Sequence, residues 1–229
     1  MAASKDKTVF GSESLDDRKK RMRYILSRLR REFPEAACAL VHTNPLELLV
    51  STILSAQCTD KRVNMVTTTL FLTYRTAHEF AAAPMESLIN IIRSTGFYRN
   101  KAKSIKSCAA MLVEKYDGKV PNTIEELVQL PGVGRKTANV VLGTAFGIPG
   151  LPVDTHVRRI ANLLQFTDSE DPDVIEQHLC AVIAKNQWIE AGHLFIWHGR
   201  KTCVAPRPKC GTCRIAAYCP SKTLSSEIR

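Results

Sequence analysis

The sequence predicts an all-α protein. Apolar residues recur at helical spacing along most of the chain, and no sustained period-two segment competes. Capping residues, prolines and glycines stand where the periodic runs begin and end. Between Asp16 and Phe33, the residues Met22, Ile25, Leu26, Leu29 and Phe33 form one apolar stripe, with Arg and Lys on the other faces. Asn44 and Pro45 open a second helix with a cap, a proline at the first position and Glu47 in the first turn; it runs on through Gln57. Asp60 caps a third helix reaching about Phe71. Pro84 opens a fourth, which Gly96 closes. Arg99 to Tyr116 is helical, with Gly118 as terminator. Thr123 and Glu126 have capping-box spacing and start a short helix ending near Leu130. Another helix follows Gly134 and stops at Gly147-Ile148-Pro149. Asp154 precedes an amphipathic helix through Leu164, and Asp171-Pro172 and Trp188 open the last long helices. Residues 1–14 are expected to form a disordered arm.

The 229 residues suffice for one large or two small domains. Lys and Arg outnumber Asp and Glu by 32 to 22, a formal charge of +10, which points to a polyanionic partner. A membrane surface is set aside: the stripe of the first helix is needed for packing, and no apolar run approaches bilayer length. The polar, charged first twenty residues carry no secretory signal. Cys38, Cys58, Cys108 and Cys180 lie singly in apolar helical patterns and read as reduced core residues in a reducing compartment.

Cys203, Cys210, Cys213 and Cys219 form a C-x6-C-x2-C-x5-C array followed by proline. Clustered thiolates at such spacing wrap a soft metal or an iron–sulfur cluster. Zinc ribbons present two short knuckles where this array has one; structural zinc and disulfides remain alternatives. Pro206 and Pro208 stiffen the loop between the first two cysteines, whose Arg207 and Lys209 project outward.

Residues 130–138, Leu-Pro-Gly-Val-Gly-Arg-Lys-Thr-Ala, lie between two helical patterns. Gly132 and Gly134 permit a tight turn whose N–H groups lead into a helix N-terminus, a favourable place for a phosphate. A nucleotide-binding P-loop is excluded, because Gln129 stands where its first glycine belongs. Lys136 falls in the first helical turn, where the helix dipole disfavours its positive charge and favours the nucleophilic neutral amine. A phosphate-binding lysine beside Arg135 is the plainer alternative. In Val153-Asp154-Thr155-His156, Asp154 either caps the following helix or orients an amine and stabilises developing charge on a sugar. His156 reads as structural or phosphate-contacting.

Together these segments resemble endonuclease III, of the helix-hairpin-helix base-excision DNA glycosylase family. Residues 130–141, 153–156 and the cysteine array carry the resemblance, joined by Asn44-Pro45, Leu54-Ser-Ala-Gln-Cys-Thr-Asp60 and Gly96-Phe-Tyr-Arg-Asn-Lys-Ala102. It covers about residues 20–220 in order. It implies two helical lobes with a DNA cleft between them. A six-helix barrel would occupy 38–149, with the helix-hairpin-helix at 124–145. A discontinuous lobe of 15–37 and 150–229 would hold a [4Fe–4S] cluster on Cys203, Cys210, Cys213 and Cys219. The implied activity is a DNA glycosylase and abasic-site lyase acting on oxidised or ring-saturated pyrimidines in duplex DNA, with Lys136 and Asp154 catalytic. Gln57 and Phe97 would fill the space left by a flipped nucleotide; packing roles are their alternatives. Gly132, Val133, Gly134, Arg135 and His156 would contact DNA, and Arg99, Lys101 and Lys103 would reach phosphates or form a solvated face. The related adenine glycosylases carry a catalytic Glu where this chain has Ser51-Thr52-Ile53, and they lack the hairpin lysine. A monomer is expected, and a place in the cytoplasm or nucleoid if the protein is bacterial.

Overall fold

The computed structural model describes residues 13–225, and these are helical with no strand among them. The α-helices are α1 (Leu15–Glu32), α2 (Pro45–Leu54), α3 (Asp60–Thr73), α4 (Ala77–Ala82), α5 (Met85–Ile92), α6 (Tyr98–Tyr116), α7 (Ile124–Leu127), α8 (Arg135–Phe146), α9 (Thr155–Leu163), α10 (Pro172–Val182) and α11 (Trp188–Lys201). Short 3-10 turns follow α5 at Arg93–Thr95 and mark the segment after α11. The chain divides into two compact units. One is Cys38–Gly150; the other joins the described residues before Cys38 to those from Leu151 onward.

Within Cys38–Gly150 the core is built from Leu48, Leu49 and Leu54 of α2, Leu70 of α3, Phe80 of α4, Leu88 of α5, Leu112 of α6 and Val141 of α8. Helix α4 lies against α6, and α2 against α8. Several ends are fixed by their own sequence. The Asn44 side chain accepts from the Glu47 N–H ahead of Pro45. Thr76 and Glu79 form a complete capping box on α4. Thr59, rather than Asp60, caps α3, because its hydroxyl accepts from the Arg62 N–H and Asp60 becomes the first helical residue. Helix α2 stops at Leu54, three residues short of the expected Gln57, and α7 stops at Leu127.

In the second unit, Met22, Ile25, Leu26 and Leu29 are fully buried against Ile160, Phe166, Leu179 and Phe195. Phe33 is the C-cap of α1 and only partly buried. The basic face of α1 is not wholly solvated. Arg21 donates to the Leu164 carbonyl at 2.8 Å, at the end of α9, and its guanidinium lies 4.1 Å from the centre of the Phe166 ring. Arg18 donates to the Phe166 carbonyl at 2.6 Å. Orphan carbonyls beyond α9 thus gain charge-assisted partners. The arm expected at 1–14 lies outside the described residues over 1–12. Its last two residues are placed: Ser14 caps α1, and Glu13 pairs with Arg21 at 2.7 Å.

The four cysteines read as core residues differ among themselves. Cys108 is buried in α6, whereas Cys38, Cys58 and Cys180 are half-buried, and Cys38 and Cys58 stand outside the helices. All three half-buried cysteines still pack against the apolar cores, Cys38 and Cys58 in one unit and Cys180 in the other.

Candidate active site and cysteine cavity

The hairpin between α7 and α8 is a tight, glycine-dependent turn. Gly132 has φ +79°, and a Cβ there would sit 2.7 Å from the Ser104 Cβ. Only glycine meets both conditions. Val133 turns inward: its side chain is 6 % exposed and its N–H donates to the Leu130 carbonyl at 3.0 Å. It therefore holds the turn and offers a ligand neither its side chain nor its N–H. Gly134 is the N-cap of α8 and supplies no side-chain acceptor. The first turn of α8 thus begins without a side-chain cap, at the positive end of the helix dipole. Arg135 and Lys136 follow, both exposed. Lys136 makes no hydrogen bond or ion pair among the described residues. Its amine is uncommitted.

In the second unit Asp154 caps α9. Its Oδ1 accepts from the His156 and Val157 N–H groups, both at 2.8 Å, while Oδ2 is not engaged by described residues. One oxygen fixes the carboxylate and the other remains for chemistry, so the cap and catalytic readings are compatible. His156 stands in the first turn of α9, close against Gly199 of α11; a Cβ on Gly199 would lie 2.9 Å from the imidazole Nδ1.

Gln57 and Phe97 share an uncommon backbone. Both lie in the left-handed region, with φ 52° and 48°. Phe97 is 63 % exposed, which removes the core alternative for it. Gln57 lies beyond the end of α2, is exposed and makes no hydrogen bond among the described residues, which removes the helix-bonding alternative. Strained, exposed, unpartnered residues mark functional positions more often than packing ones. Of the three basic residues after Phe97, Arg99 and Lys103 are exposed. Lys101 is not a phosphate ligand: it is 5 % exposed and donates to the Leu54 and Thr95 carbonyls.

Cys203, Cys210, Cys213 and Cys219 all line one cavity of about 30 Å³, floored by Ile160 and Leu164. Among the described residues, no group of three or more His, Cys, Asp or Glu side chains is arranged to hold a metal ion. Arg159 donates to the Cys203 carbonyl and lies 3.6 Å from its Sγ. The His198 Nε2 is 3.9 Å from the Cys213 Sγ. Burial pushes the Cys213 thiol up to about 11, and raises Cys203 and Cys219 as well. Such thiols stay protonated until a cation displaces the protons.

The family described as HhH-GPD superfamily base excision DNA repair protein matches residues 50–185. Endonuclease III of Synechocystis sp. is 47 % identical over 209 residues, covering 91 % of this chain and 95 % of that protein. The chain belongs to the endonuclease III family of HhH-GPD base excision DNA repair proteins. Two solved structures of endonuclease III bound to DNA have similar folds. A non-covalent complex has TM-score 0.86 at 47 % identity, covering 90 % of this chain and 97 % of that one. A trapped covalent intermediate has TM-score 0.87 at 46 % identity, covering 91 % and 99 %. The secondary structure of this endonuclease III family member is all α and 3-10 helix among the described residues, as the sequence predicts. Among the described residues, no helix is long and apolar enough to cross a membrane. The sequence reading missed the burial of Lys101 and the left-handed backbone shared by Gln57 and Phe97. Gly96 before Phe97 was the signal available for the second of these.

Proposed function

We propose that this chain is a bifunctional DNA glycosylase and abasic-site lyase that excises oxidised or ring-saturated pyrimidines from duplex DNA. The observation that carries the reading is Lys136: an exposed, uncommitted amine in the first turn of a helix without a side-chain cap, directly after a glycine hairpin. The relative solved as a covalent DNA intermediate supports the same reading.

The damaged nucleotide leaves the stack, since its sugar carbon is unreachable within the duplex. The Lys136 amine attacks C1′ and gives up a proton, and the base departs with the glycosidic electron pair. The sugar ring opens to an imine between C1′ and Nζ. Loss of a C2′ proton then expels the 3′ phosphate by β-elimination, leaving an unsaturated imine on a nicked strand; water hydrolyses it to the unsaturated aldehyde and frees the Lys136 amine. Asp154 is anchored by two N–H groups through Oδ1, and its role in this reading is to stabilise, through Oδ2, the positive charge developing on the sugar. Gln57 and Phe97 occupy the space the nucleotide leaves. Gly134 and Arg135 receive a backbone phosphate at the start of α8. The buried Val133 supports that turn from inside.

The four cysteines fit a [4Fe–4S] cluster. All four line one cavity, and thiolate is the donor such clusters take. When bound, the cluster supplies a rigid cross-link that fixes the basic loop 204–209; the proposed chemistry routes no electron through it.

Duplex oligonucleotides carrying one thymine glycol test the reading. Free base and a β-elimination nick should both appear. An abasic duplex left uncut by well-folded protein would overturn it in favour of a DNA-binding module.

A further inference from the structure

One buried cation in the unit Cys38–Gly150 has no part in the chemistry above. Lys101 is 5 % exposed, and its Nζ donates to the Leu54 and Thr95 carbonyls, both at 2.8 Å. Withdrawing an ammonium from water is costly unless strong acceptors replace the solvent, and two carbonyls do so here. Those carbonyls close two different elements. Leu54 ends α2 and Thr95 ends the 3-10 turn after α5. Gln57 lies three residues past the first and Phe97 two residues past the second. Both are exposed and both hold a left-handed backbone that persists only when its surroundings over-determine it. A single ammonium therefore joins the two segments at their roots.

We propose that Lys101 is a positioning residue, which pins the loop of Gln57 to the turn of Phe97 so that the two side chains enter the DNA stack as one fixed unit. The inference rests on the reading of Gln57 and Phe97 as the residues that fill the vacated space. Without the shared ammonium each loop relaxes separately, and a displacement of an ångström at such a contact costs catalysis far more than binding.

The test uses duplexes with a thymine glycol and a neighbouring 2-aminopurine, whose fluorescence rises on unstacking. Amplitudes are normalised to protein able to trap a single-stranded abasic oligonucleotide with borohydride. Wild type should give a clear rise. Lys101→Met should lose most of it, with kcat on the duplex lesion down about tenfold or more and KM nearly unchanged. Adding Lys101→Met to Phe97→Ala should cost little beyond Phe97→Ala alone, since both act on one unit. Wild-type amplitude and kcat in Lys101→Met overturn the assignment. No rise in wild type, or Gln57→Ala and Phe97→Ala both behaving as wild type, overturns the reading beneath it. If Lys101→Met is not recovered folded, Lys101→Gln replaces it. That variant keeps an amide donor for one carbonyl, so a partial loss is expected and wild-type behaviour again overturns the proposal.

Discussion

Asp154 has two functions that a single substitution separates. Its Oδ1 holds two N–H groups of α9. Asn keeps that oxygen and is as good a cap, whereas Ala removes it at about 0.5–2 kcal/mol. Asp154→Asn should therefore melt close to wild type in thermal unfolding yet excise poorly, while Asp154→Ala should lose both stability and activity. Full activity in Asp154→Asn would reduce the carboxylate to a cap. Lys136 was legible because the hairpin spells out its own geometry: glycines for the turn, then a helix start without a capping side chain. Lys101 was not. Read along the chain it is one more basic residue after Phe97; its burial depends on Leu54, 47 residues away, which no local pattern reports.

At the scale of elements, the hairpin and the short helix α4 make contrasting cases. Gly132→Ala places a Cβ 2.7 Å from the Ser104 Cβ and forces a side chain onto φ +79°. A loss of about 1–3 kcal/mol in urea unfolding is expected, with weaker duplex binding; an unchanged midpoint would mean the turn is less constrained than its geometry indicates. Helix α4 escaped the sequence reading because Ala77–Ala82 is under two turns long and too short to show a period. Its signal was the capping box, in which the Glu79 carboxylate accepts from the Arg75 and Thr76 N–H groups. The Arg75 N–H is the larger cause that holds Glu79 below the ordinary carboxylate range. A depressed folded pKa stabilises above the unfolded value of about 4.3, and that stabilisation disappears as pH falls through the folded one. Thr76→Ala should cost about 1 kcal/mol by thermal unfolding at neutral pH. An unchanged melt would show that tertiary packing alone holds α4.

For the whole molecule, the excess of basic residues and the cysteine cavity set the predictions. With a formal charge of +10, duplex affinity should fall linearly in a log–log plot against salt, with a slope near −0.9 per phosphate contacted. Salt-insensitive binding would contradict an interface of phosphate contacts. Protein purified without oxygen should hold about four iron and four sulfide per chain, and Cys213→Ser should lower that content. Normal content in Cys213→Ser would place the cluster elsewhere. Cluster loading should weaken towards acid, since the thiols are raised by burial and must lose their protons on binding. Spacing alone suggested soft-metal ligands, whereas the cavity that the four cysteines line comes from the packing of α9 and α11 beneath it. The most direct test of the account is borohydride reduction of the protein mixed with an abasic duplex, followed by peptide mapping of the linked residue. The account predicts a covalent protein–DNA product joined through Lys136, absent in Lys136→Ala although that variant still binds the duplex. A product of equal yield in Lys136→Ala, or one mapped to another residue, would contradict it.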